Sequence, residues 1–208
     1  MSAPPPRLYR GKSLAERRDD QRGRLISAAR DVFARRGFTA AGIDEIVAEA
    51  RVSRSSFYSF FANKEQCLLE VFEEGRRRVT AALASVIAQD LEPVERIRAE
   101  ITVLAESFAA DPAMARVLLI EAVGATPEVE RARAAARQAA ADVIEMQLRD
   151  YPAWRERPEE RAVVALTTMA AIAESLSHLI ATDRIDEWPA VVGPVTDYVA
   201  RGLNAKRS

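Results

Sequence analysis

Apolar residues in this 208-residue chain recur at three- and four-residue spacing along nearly its whole length. No segment alternates apolar and polar residues two by two with β-branched enrichment. A 3.6-residue period gathers side chains on one flank of an α-helix, whereas a half-buried strand needs a period of two. The pattern therefore predicts an all-α fold of about nine helices. Over residues 17–36, Leu25, Ile26, Ala29, Val32 and Phe33 form one stripe, and Gly37 follows where a helix end favours glycine. Ile43, Ile46, Val47 and Ala50 repeat the pattern briefly. A break at Arg51-Val52-Ser53 follows, then a short helix through Phe57 and Phe61, then a long one from Lys64 to about residue 89. Further on, Pro93, Pro112, Pro127, Pro152, Pro158, Pro189 and Pro194 suit helix starts or breaks. They bound helical segments near 94–110, 112–123, 128–150, 158–182 and 189–204.

A chain of this size, 49% apolar and 29% charged, can bury a core without metals or disulfides. Cys67 is the only cysteine, which fits a reducing compartment, and the opening residues hold no apolar leader segment. A cytoplasmic protein is expected. The longest nearly apolar run, Ala162 to Ala173, is 12 residues, too short to span a bilayer, so no membrane partner is expected. The charge is divided: residues 1–80 carry 16 Lys and Arg against 11 Asp and Glu, while residues 81–208 carry 14 against 20. A basic front on an acidic back predicts an anionic partner at one end. His178 is the only histidine, and no glycine-rich phosphate loop or nucleophile–base pair is visible. Neither an enzyme, a metal site nor a cofactor is expected.

Residues 43–61 carry the most information. Two short amphipathic helices joined by three residues have helix-turn-helix spacing. Ser53 is placed to cap the second helix with its hydroxyl, and Val52, Phe57 and Phe61 supply the inward flank. That leaves Arg54, Ser55, Ser56, Tyr58 and Ser59 outward, a short flank of donors and acceptors without a carboxylate to repel phosphate. A solvated surface helix would more often carry Glu and Lys pairs there. The competing reading is an all-α protein-interaction or ligand-binding module that binds no DNA.

Three stretches, Ala28–Phe38 (AARDVFARRGF), Ile43–Ala50 (IDEIVAEA) and Val52–Glu65 (VSRSSFYSFFANKE), together resemble the DNA-binding domain of the TetR/AcrR transcriptional regulators. Three consecutive prolines and several basic residues near the start predict a disordered basic arm over 1–16, and the resemblance implies a helix-turn-helix domain over 17–63 and a helical ligand-binding and dimerisation domain over 64–208. It implies DNA contacts from Thr39, Arg51, Ser53, Arg54, Ser55, Ser56, Tyr58, Ser59 and Lys64, with Tyr58 and Lys64 on phosphate. Three positions depart from the family pattern: Arg51 replaces a turn glycine, Phe60 a common histidine, and Gly42 a Thr or Ser cap. If position 51 requires a positive φ, arginine there is strained.

Residues 162–180 are apolar or small around most of a helix, which must be covered on more than one side. The family pattern implies a homodimer through the last two helices, with Leu166, Ala170, Ala173, Ser177, Ile180, Val195 and Val199 at the interface. It also implies an effector pocket among the middle helices, for which Phe108, Met114, Leu118, Glu121, Met146, Trp154, Met169, Glu174 and His178 are candidates. The function implied is a repressor, released from a palindromic operator in double-stranded DNA by a small apolar or amphipathic ligand.

Overall fold

The computed structural model describes residues 13–204, which form nine α-helices and no strand among the described residues. They are α1 (Leu14–Arg36), α2 (Ile43–Ala50), α3 (Arg54–Tyr58), α4 (Lys64–Ile87), α5 (Pro93–Ala110), α6 (Pro112–Arg116), α7 (Pro127–Leu148), α8 (Pro158–Ala181) and α9 (Trp188–Asn204). Helix α6 runs directly into a π-helical turn, Val117–Glu121, and a 3₁₀ turn, Ile185–Glu187, precedes α9. Proline opens α5, α6, α7 and α8, where its missing N–H would have had no helical partner. Of the basic arm expected over 1–16, residues 1–12 lie outside the described residues. Its last three residues are helical instead: Ser13 and Glu16 form a reciprocal capping box that starts α1 at Leu14.

The first core gathers Leu25, Ala29, Val32 and Phe33 of α1, Ile46 and Ala50 of α2, Phe57 and Phe61 around α3, and Cys67, Leu68 and Val71 of α4. Burial pushes the Cys67 thiol up to about 12, so this cysteine is a packing group and not a nucleophile at neutral pH. The second core collects Ile97, Ile101 and Ala105 of α5, Val117, Val129 and Ala141, Ala165 and Leu176 of α8, and Val192 and Val199 of α9. Helix α4 crosses from one to the other. At Gly75 it runs so close to α6 that an added Cβ would lie 2.5 Å from Met114 Sδ and 3.1 Å from Leu118 Cδ1.

Asp111 binds the two halves together. It caps α6 through the Met114 N–H, and its carboxylate meets Arg30 of α1 at 2.8 Å and Arg78 of α4 at 3.5 Å.

Helix α8 departs from expectation. The 12-residue run lies inside a 24-residue helix that is long and apolar enough to cross a bilayer by length and composition, an 18-residue window of it having a mean hydropathy of 1.6. The run looks short because charged residues precede it and a lone Glu174 interrupts it, while alanine carries the average. Only 22% of that window is buried within the chain; α7 and α9 cover one flank.

Replacing Asp111 by alanine removes a cap and two ion pairs that join three helices. Urea unfolding should show a loss of about 1–2 kcal/mol, mostly from the cap.

Candidate nucleic-acid interface and ligand cavity

Helix α3, the second helix of the helix-turn-helix pair, is short because its sequence is self-capping. The Ser53 hydroxyl accepts the Ser56 N–H at 3.1 Å and lies 2.8 and 2.9 Å from the hydroxyls of Ser55 and Ser56. The Ser59 hydroxyl closes the other end on the Ser56 carbonyl at 2.7 Å. Phe57 is fully buried and packs on Phe61 with ring centroids 5.3 Å apart. The helix is thereby pinned by one flank, and the opposite flank turns outward.

Thr39, Arg51, Ser53, Arg54, Ser55, Tyr58 and Ser59 are all exposed, and Ser56 is half-buried. Tyr58 leaves 47% of its surface open, its ring edge-on to Phe57 and 5.8 Å beneath the Arg54 guanidinium. Arg54 also donates to Asp44 at 2.6 Å, and the bonds to Tyr58 and then Asp44 raise its pKa further. A flank that sequence alone shows free of carboxylates therefore has one reaching in from α2.

Arg51 sits at φ 54 and ψ 49, the left-handed conformation, and ends α2 through bonds from its N–H to the carbonyls of Val47 and Ala48. The turn does require a positive φ, and arginine bears the strain that glycine would avoid. Gly42, without a hydroxyl, still starts α2, because the Glu45 carboxylate accepts its N–H at 3.1 Å. Phe60 receives the Arg18 guanidinium 5.0 Å above its ring, while Arg18 donates to the Ser59 carbonyl. Position 60 thus docks α1 against the end of α3.

Lys64, expected on phosphate, faces backbone carbonyls of its own chain. Its ammonium donates to the carbonyls of Phe38 at 2.8 Å, Ala41 at 3.0 Å and Thr39 at 3.2 Å, and lies 4.6 Å from the Phe38 ring. An ammonium has three donors, and all three are engaged by the α1–α2 loop. In this structure Lys64 is a clamp on that loop. The carbonyls that converge on it belong to residues 23 to 26 positions earlier, which is why α4 periodicity gives no sign of the clamp.

A cavity of about 650 Å³ opens among α4, the π turn, α7 and α8. Phe108, Leu118, Met169, Glu174 and His178 line it as expected from sequence. Phe72, Phe108 and Leu118 form a buried apolar floor, and Arg76, Arg133, Arg137, Glu174 and His178 stand around the walls. His178 is exposed at the rim and not packed. The four other expected residues do not line it. Met114 fills the space over Gly75, Glu121 faces α1, Met146 is exposed, and Trp154 is buried in the α7–α8 connection, 5.6 Å from Arg157. The three arginines went unnoticed in the sequence; Arg133 and Arg137 share an i, i+4 flank with the small residues Ala136 and Ala140, which is their only trace.

The expected dimer flank also changes. Ile180 and Val199 are buried in their own chain, Val195 packs half-buried on the core, and Ala170, Ala173 and Ser177 line the cavity. Leu166 remains outward at 48% exposure, joined by Val163 at 67% and by Tyr198 of α9 at 69%. Among the described residues no cluster of metal-ligating side chains forms.

Residues 25–71 match the family described as bacterial regulatory proteins, tetR family. The HTH-type transcriptional activator FasR of Mycolicibacterium smegmatis is 28% identical over 180 residues, covering 86% of this chain and 81% of that protein. Among solved structures, the fatty acid degradation regulator FadR of Bacillus halodurans superposes with a TM-score of 0.75 at 20% identity, covering 89% of this chain and 99% of that one. FadR of Bacillus subtilis, solved in complex with stearoyl-CoA, gives 0.73 at 17% identity, covering 85% and 96%.

Two substitutions separate fold from contact. Arg51→Gly should relieve the left-handed strain and stabilise the protein by about 1 kcal/mol, seen as a rise in Tm of about 2–4 °C. Lys64→Ala should cost about 2 kcal/mol of stability through three lost charge-assisted bonds. Both are read by thermal unfolding without DNA.

Proposed function

The chain belongs to the TetR family of DNA-binding transcriptional regulators, and from that premise we propose that it is an effector-controlled repressor. It acts as a homodimer on a palindromic operator and is released by an amphipathic ligand. The observation that carries the DNA reading is the outward, hydroxyl-rich flank of α3 around Tyr58, pinned from behind by the buried Phe57. Arg54, Ser55 and Tyr58 meet base edges and adjacent phosphates, Thr39 and Ser59 meet backbone, and Arg51 adds charge beside the turn. Arg54 exchanges its Asp44 partner for DNA on binding.

The dimer reading rests on Val163, Leu166 and Tyr198, large apolar side chains left open on α8 and α9. Exposed apolar surface gathered on neighbouring helices marks an interface. Two-fold pairing there sets two recognition helices at a fixed spacing, matched by a palindromic site.

The effector reading rests on the cavity. Its volume is within the range of small-molecule sites. An apolar floor with arginines on the walls suits a ligand with an apolar body and an anionic or polar end, and the stearoyl-CoA held by the Bacillus subtilis FadR is of that kind. Ligand entry against the π turn and α4 shifts the helix-turn-helix and lowers operator affinity; such coupling is typically about 1–3 kcal/mol. Repression needs only occupancy of the promoter. The name of FasR as an activator supports the opposite sign of regulation for this chain, and transcription in vitro with and without protein decides between them.

A duplex recovered by selection from random sequence should bind with a steep salt dependence, about tenfold weaker or more between roughly 50 and 200 mM salt. Tyr58→Ala should weaken binding at least tenfold with the dimer intact, whereas Leu166→Glu should dissociate the dimer and lose the operator with it. Unchanged binding by Tyr58→Ala would remove α3 from the interface, and a Leu166→Glu dimer in sedimentation analysis would remove α8.

A further inference from the structure

The π turn Val117–Glu121 has two working faces. Leu118, Leu119 and Ile120 line the cavity. The next residue points its carboxylate the other way: Glu121 Oε2 accepts the Phe38 N–H at 3.0 Å, and Oε1 lies 3.3 Å from Arg116 Nε. The Glu121 side chain is only 14% exposed, so this is a sheltered, charge-assisted bond and not a surface pairing.

Phe38 opens the loop between α1 and α2. Its N–H is held by Glu121, and its carbonyl, with those of Thr39 and Ala41, is held by Lys64. The loop that aims α2, and through it α3, is therefore gripped on its donor side by the cavity wall and on its acceptor side by α4. Gly37 makes the first grip possible. It turns at φ +78, and a Cβ there would meet Glu121 Oε2 at 3.3 Å. The π turn closes with an Ala122 N–H to Val117 carbonyl bond at 3.0 Å, one residue wider than an α turn. Tightening it to α register would rotate Glu121 by about 100° about the helix axis, enough to take its carboxylate off Phe38.

We propose that Glu121 is the positioning residue through which cavity occupancy reaches the DNA-reading helices. A ligand pressing on Leu118–Ile120 displaces the π turn, breaks the Glu121–Phe38 bond and loosens the α1–α2 loop. The proposal rests on the effector reading above and adds to it the residue that transmits the signal.

The test uses a side chain in place of a ligand. Ala140 lines the cavity on α7, far along the sequence from the loop, and Ala140→Trp fills part of the space. Amide exchange at Phe38 is followed by NMR in the full-length protein, with the amide of Val71 in the α4 core as an internal standard. Ala140→Trp should speed Phe38 exchange about tenfold and leave Val71 unchanged. Glu121→Ala should do the same alone, and the double variant should add less than twofold. Glu121→Gln, whose amide oxygen can still accept the N–H, should restore at least half of the protection, and Glu121→Leu, which keeps the side-chain volume but has no acceptor, stands in if Glu121→Ala does not fold. Operator affinity on the selected duplex should follow the same non-additive pattern.

Equal effects of Ala140→Trp in the wild-type and Glu121→Ala backgrounds would overturn the assignment of Glu121 while leaving cavity control of DNA binding in place. No effect of Ala140→Trp on either Phe38 exchange or operator affinity would overturn both. Normal Phe38 protection in Glu121→Ala would show the bond to be dispensable and would also sink the proposal.

Discussion

Helix α4 belongs to two cores at once, and the rest of the architecture follows from that sharing. Its first turns bury Cys67, Leu68 and Val71 against α1 and the recognition unit, while Phe72 faces the cavity and Gly75 lies against Met114 one turn later. Twenty-four residues of α-helix span about 36 Å, so one rigid rod links the cavity floor with the loop that Lys64 clamps. Neither core can move far on its own, because close-packed interiors pass displacement on and do not absorb it. The Asp111 pairs to Arg30 and Arg78 fix the same three helices at the surface.

Many of the ion pairs among the described residues are local. Pairs such as Arg76–Glu73, Arg131–Glu128 and Arg184–Glu187 lie one helical turn apart and are open to solvent; exposed pairs of this kind contribute little to stability. The informative charges are those that break this pattern. Lys64 spends itself on backbone carbonyls, Glu121 on a backbone N–H, and Arg161 is buried, held by the Glu145 carboxylate and the carbonyls of Trp154 and Arg155. Lys64 and Glu121 tie the α1–α2 loop to elements it does not adjoin in sequence, while Arg161 fastens the α7–α8 connection and α7 to α8. At α3 the Asp44–Arg54 pair has a different consequence: it holds the guanidinium beside Tyr58, so under the proposed DNA contact the arginine is organised in advance and exchanges a carboxylate for phosphate.

Much of this was legible from residue spacing. The three-residue break at Arg51, the Ser53 cap and the inward Phe57 and Phe61 follow from local chemistry, which one sequence displays, while the strain at position 51 follows from the family resemblance, which has glycine there. The Ser13–Glu16 capping box was equally local but lay ahead of any apolar stripe, and stripe-based reading places the helix start too late. Other features needed the third dimension. Periodicity shows that α8 and α9 are apolar on several sides, but not that Ile180 and Val199 turn into their own chain while Val163 and Tyr198 turn out. Nothing in the residues near Lys64 shows three carbonyls converging from a distant loop. Glu121 is a pocket candidate in the sequence; that its carboxylate turns instead to a backbone amide of the α1–α2 loop depends on a contact between residues 83 positions apart.

The contact between Gly75 and Met114 has a mechanical meaning. With no side chain on one surface and a thioether on the other, the seam resembles a greased bearing, since methionine changes shape at little cost. A branched residue in either place would key the two helices together like a cog. Where α4 passes the cavity, the fit between the two helices is thus set by a flexible sulfur and not by a branched side chain.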